Sequence, residues 1–182
     1  MLIARTIPLS ILGALAAGAG AQNPPAAPPP PACTAAEHRQ FDFWVGYWDV
    51  YPTGTDRLVA HSLIEKLYGG CAIRENWMPL KRSGGGSLSA YRPEQQLWRQ
   101  TWTDSANGWA VLEGKFDGAA MVLSGPWENV NGPGTKAFAR TTWTRNADGS
   151  VRQHGETRGD DGRTWTTSFD FTYKPSRSSP PK

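Results

Sequence analysis

Blocks of like charge are missing from this sequence. The 182 residues include 19 Lys and Arg against 16 Asp and Glu, with no run of basic residues. That balance excludes a nucleic-acid partner and a polybasic membrane patch. Cysteine is nearly absent, with only Cys33 and Cys71. There is no C-x-x-C and no His at ligand spacing beside either, which argues against a metal or redox pair. Long apolar runs are absent apart from one stretch, Ile7 to about Leu15, and it is too short for a permanent membrane-spanning helix. No G-x-S-x-G, H-E-x-x-H or phosphate-cradling loop occurs. Ser83-Gly84-Gly85-Gly86-Ser87 is Gly-rich but leads into a strand pattern, so it lacks the helix N-terminus that binds phosphate. A second long helical pattern is also missing, which excludes a parallel α/β sheet.

The short apolar run follows Arg5 and ends in Ala19-Gly20-Ala21, the pattern of a secretory signal peptide over residues 1–21. Residues 22–32, QNPPAAPPPPA, read as a Pro/Ala-rich linker. Residues 33–175 form one domain, and 176–182 a disordered tail. Loss of Arg5 leaves 18 basic residues against 16 acidic, a mature charge of +2. The expected location is periplasmic or secreted, with no membrane insertion after cleavage. In that setting an even cysteine count predicts a Cys33–Cys71 disulfide, which stabilises by roughly 4 kcal/mol.

What is abundant is aromatic. FDFWVGYWDV, residues 41–50, packs two Phe, two Trp and a Tyr around Gly46, and the chain has 9 Trp in all. Thr34-Ala-Ala-Glu37 fits a capping box, so a short helix is expected there, carrying Phe41 and Trp44 on one face. Gly46 is expected to end it in a left-handed exit. After Gly46 the period changes to two, and nine more strand-like segments follow. Their separators are turn chemistry: Pro93-Glu94, Asn107-Gly108, Asp117-Gly118, Asp148-Gly149 and Asp161-Gly162. Ten hairpin-linked strands predict an all-β, antiparallel up-and-down barrel with one short N-terminal helix. An open two-sheet sandwich is the alternative.

Gly46-Tyr47-Trp48, a G-x-W opening the first strand, resembles the calycin signature of lipocalins, fatty-acid-binding proteins and nitrobindin-like barrels. The longer F-D-F-W-V-G-Y-W-D-V resembles a family of exported, largely uncharacterised bacterial barrel proteins. Glu75-Asn76-Trp77, Gln100-Thr101-Trp102-Thr103-Asp104 and Thr142-Trp143-Thr144 add to that resemblance. It implies a calycin-like barrel whose Trp48 crosses the closed end beneath an Arg. Phe41, Trp44, Gly46 and Trp48 would form the plug, with Arg152 or Arg163 stacked on Trp48.

Strand parity puts Trp98, Gln100, Trp102 and Asp104 on one face, and Ile73, Glu75 and Trp77 on another. An aromatic face holding a Glu suits a cavity with a few polar groups. The candidate ligand site is therefore Glu75, Trp77, Gln100, Trp102 and Trp143, for a small apolar or aromatic molecule. Arg140, Arg152 and Gln153 are the candidate partners of Glu75. A filled barrel, with Glu75 in one ion pair, is the competing reading. No catalytic constellation and no cofactor are expected. Resemblance to nitrobindin-like barrels would imply haem on His154, but the residues around it depart from that motif. Two further readings stay open: a barrel enzyme using haem or Glu75 with a His, and an envelope interaction domain.

Overall fold

In a computed structural model, residues 33–159 and 162–180 are described. Residues 1–32, where the sequence predicts a signal peptide and linker, and residues 160–161 and 181–182 lie outside them. The strands are β1 (Gly46–Pro52), β2 (Ala60–Leu67), β3 (Ala72–Pro79), β4 (Gly85–Arg92) and β5 (Leu97–Asp104). They continue with β6 (Trp109–Phe116), β7 (Ala120–Glu128), β8 (Lys136–Arg145), β9 (Val151–Arg158) and β10 (Trp165–Pro175). Each pairs antiparallel with its sequence neighbour, and β1 also pairs with β10, closing the barrel. The up-and-down barrel is thus as expected from the sequence. Closure leaves no strand edge unpaired.

Turn residues set the hairpins. Asp117 Oδ1 accepts from the N–H groups of Ala119 and Ala120 at 2.9 and 2.7 Å. These bonds favour the ionised carboxylate and hold its pKa below the usual range. Asp104 and Asp148 make equivalent bonds in their own turns.

One end of the barrel is plugged. Two 3-10 turns, Ala36–Arg39 and Asp42–Trp44, carry Phe41 and Trp44 into the interior, both fully buried. The ring of Phe41 lies 5.0 Å from Trp44, 5.2 Å from Trp143 and 5.7 Å from Trp98. Aromatic rings at these offsets add to the burial of their large surfaces. The capping box does not form: Ala35 is the N-cap, with no side-chain cap bond. A four-residue 3-10 turn leaves few orphan N–H groups, and plug burial rather than capping fixes the segment.

Gly46 corrects the expected helix exit. It is the first residue of β1, with φ +157°, well away from the left-handed helical region. Its role is both backbone and space: side-chain-bearing residues rarely adopt this positive φ, and a Cβ there would sit 3.2 Å from three atoms of the Trp48 indole. That indole folds back and donates from Nε1 to the Trp44 carbonyl at 2.9 Å. The G-x-W spacing therefore serves one contact between strand and plug.

The arginine cover over Trp48 is not formed. On β9, Val151 and Gln153 face inward, so Arg152 faces out and pairs with Asp170. That bond holds the Asp170 carboxyl below its usual range. Arg163 lies in the β9–β10 loop, at the far end of β10 from Pro175, the residue that pairs with Trp48.

Cys33 and Cys71 are joined, with a Cα–Cα distance of 5.0 Å. The bond ties the entry to the plug to the β2–β3 connection. Replacing both cysteines by Ser should lower stability by about 4 kcal/mol in urea unfolding. Gly46→Ala should cost about 1–3 kcal/mol in the same assay, because the Trp48 ring must move. An unchanged midpoint in either variant would contradict the assigned role.

Candidate functional site

Above the plug the interior changes character. Ser62 on β2, Glu75 on β3, Ser87 and Ser89 on β4, Gln100 on β5, Thr141 on β8 and Gln153 on β9 are all buried. They form a polar belt at mid-height. Small hydroxyls recur there because the period of two points every second residue inward, and Ser leaves room beside the large rings.

Glu75 is the centre of the belt and is 4 % exposed. Ser62 Oγ and Ser87 Oγ each donate to one of its oxygens at 3.2 Å. The Tyr173 hydroxyl lies 3.4 Å from Oε1 and also donates to Gln153 Oε1. A hydroxyl has one proton, so it serves one of these acceptors at a time. Among the described residues no cation faces Glu75. Arg140 and Arg152 point outward to Glu156 and Asp170; of the three expected partners only Gln153 is inside, linked through Tyr173. Burial without a counter-charge pushes the Glu75 pKa up from 4.5 to about 7, against the opposing effect of its three hydroxyl bonds. Burial and the nearby carboxylate push the Tyr173 phenol up as well. Near neutral pH, Glu75 therefore exists in part as a neutral acid that can donate a hydrogen bond.

The open end is aromatic. Trp77, Phe171, Phe169, Trp127 and Trp102 form a half-buried arc, with successive ring separations of 5.5, 5.6, 5.9 and 6.2 Å. A bulge between Thr167 and Phe169 turns Phe169 inward over Gly155, where a Cβ would come 2.2 Å from the ring. Between the β1–β2 and β3–β4 loops a half-open cleft of about 310 Å³ reaches Trp77 and Phe171. Leu58, Val59, Pro79 and Leu80 extend its apolar wall. Trp77 sits two residues above Glu75 on β3, with its ring 6.2 Å from that of Tyr173. The floor of the cleft thus rests on the polar belt.

The candidate residues fall into three places. Trp77 lines the cleft. Glu75 and Gln100 lie in the belt, where Gln100 donates to Ser89 at 3.0 Å. Trp102 stands in the mouth arc and bonds Asp104. Trp143 is fully buried against the plug, away from the cleft. Its Nε1 and the neighbouring Thr141 Oγ1 are buried without a hydrogen-bond partner among the described residues. Sequence reading missed Phe169, Phe171 and Tyr173, although FDFTY alternates aromatics at a period of two. It also missed the loop residues of the cleft, which periodicity does not mark.

A haem inside the barrel would find no imidazole from β9. His154 faces out and bonds Thr167 Oγ1 at 3.0 Å. His61 also faces out, bonded to Asp49 at 2.9 Å. His38 is buried against Tyr91 at the plug end. No His therefore stands beside Glu75.

The raised Glu75 pKa links stability to pH. Between pH 4.5 and about 7 the folded state keeps a proton that the unfolded chain has released. Stability is full below that window and falls by up to about 3 kcal/mol as pH rises through it. Glu75→Gln should match the wild type near pH 4.5 and exceed it at pH 8, in paired urea titrations. A difference that does not change with pH would contradict the uncompensated burial. Compared with protein-family models and with curated proteins, the chain matches none.

Proposed function

We propose that the protein is an exported binding barrel that takes a small apolar or aromatic molecule at its open end. The observation that carries this reading is the stacking of three layers. A half-open aromatic cleft rests on Trp77, Trp77 rests on Tyr173, and Tyr173 reaches a buried carboxyl that has no cation. Specific small-molecule sites combine an apolar, concave wall with a few placed polar groups. A carboxyl held without a counter-charge costs stability, which favours a functional over a structural role for Glu75.

Export is supported by the leader pattern and by the Cys33–Cys71 bond, since disulfides persist in oxidising compartments. Against an enzyme using Glu75 and a His stand the positions of His38, His61 and His154, none of which faces Glu75.

Phenylnaphthylamine, a neutral aromatic probe that brightens in apolar sites, provides the test. Trp77→Leu should weaken its binding at least tenfold, while Trp109→Leu, a half-exposed Trp elsewhere on the same end, should not change it. Circular dichroism confirms that both variants are folded. Equal affinity in wild type and Trp77→Leu would contradict the site.

A further inference from the structure

The cleft gathers three cations in its lining. Five surface cations elsewhere are matched to acids: Lys66 to Asp42, Arg74 to Glu65, Arg99 to Glu113, Arg140 to Glu156 and Arg152 to Asp170; the cations without an ion pair that lie outside the cleft, such as Arg92, Lys115 and Arg145, do not converge on it. Arg57, Lys81 and Arg82 are different. All three line the cleft, Arg57 from the β1–β2 loop and the other two from the β3–β4 loop. None has an ion pair or side-chain hydrogen bond among the described residues. Among the described residues no Asp or Glu lines the cleft. Asp56, next to Arg57 in sequence, faces Lys174 at 3.7 Å instead.

Three positive groups converging on one opening repel one another, and the repulsion is relieved when an anion sits among them. Arg binds carboxylate, sulfonate or phosphate with paired N–H donors, and Lys adds a mobile point charge. These groups stand at the outer rim, while Trp77 and Phe171 stand deeper. The separation of charge and apolar surface defines the shape of an occupant.

We propose that the ligand is a free anionic amphiphile, with its apolar or aromatic body against Trp77 and Phe171 and its acidic group held by Arg57, Lys81 and Arg82. This rests on the mouth being a binding site and adds the chemical class of what it binds.

Anilinonaphthalenesulfonate and phenylnaphthylamine share a ring system and differ by one sulfonate. Titrated into the mature, folded protein at low salt, the sulfonate should bind at least tenfold more tightly than the neutral probe. That advantage should shrink as salt rises. In the triple variant Arg57→Gln, Lys81→Gln, Arg82→Gln the ratio of the two affinities should fall to about one, and a retained tenfold preference for the sulfonate would overturn the proposal. The three residues are exposed loop positions, and an unchanged thermal melt confirms the fold. If both probes bind the wild type equally and Trp77→Leu still weakens them, the mouth site stands and the anionic class falls. If neither binds, the site reading falls and this inference with it. If the protein instead sediments with phosphatidylglycerol vesicles and does not discriminate between the free probes, the cations serve a membrane surface and the proposal is overturned.

Discussion

The pairing of β1 with β10 is the constraint on which the rest depends. It brings Tyr173 to within hydrogen-bonding reach of Glu75, 98 residues away in sequence. It also brings Phe171 against Trp77. Without closure, the belt would lack its phenol and the cleft would lack one wall. The pairing is in turn anchored by the plug. Trp48, on β1, is tied to Trp44 by a hydrogen bond and packed against Tyr173 on β10. One indole therefore joins plug, first strand and last strand.

The interior is graded along the barrel axis. The plug end is aromatic, and its rings fill the space that a narrow barrel leaves between strands. The mid-height belt is polar and hydrogen-bonded. The mouth is aromatic again, with half-buried rings. Packing alone would favour apolar side chains throughout, because a buried carboxyl without a partner is costly. Glu75 therefore marks the level at which the interior departs from what packing alone favours. The unmatched cations of the rim repeat the theme at the surface, where nearby acids would have neutralised them.

Much of the fold was legible in the sequence. All ten strands were marked by a period of two and by Gly, Asn and Asp turns, because hairpins are local structures. Glu75, Trp77, Gln100 and Trp102 were correctly placed inward, since side-chain parity is fixed within a strand. What parity does not give is height along the barrel axis. Trp143 faces inward like Trp102, yet one stands at the plug and the other at the mouth. Nor does it rank a loop: Arg57, Lys81 and Arg82 become neighbours only because two loops meet across the rim. Thr34 and Glu37 carry the local signal of a capping box, but burial of Phe41 and Trp44 decides the turn and Ala35 becomes its N-cap. The resemblance offers Arg152 or Arg163 as the cover of Trp48, but parity on β9 sends Arg152 outward to Asp170 and Arg163 lies in the loop at the far end of β10.

Native mass spectrometry of the mature protein, taken from an exported preparation without denaturant or organic solvent, tests the central claim most directly. The account predicts a second peak carrying the mass of one small organic acid, which is lost on mild collisional activation. A single apo peak that stays unchanged after incubation with excess anionic amphiphile would contradict it.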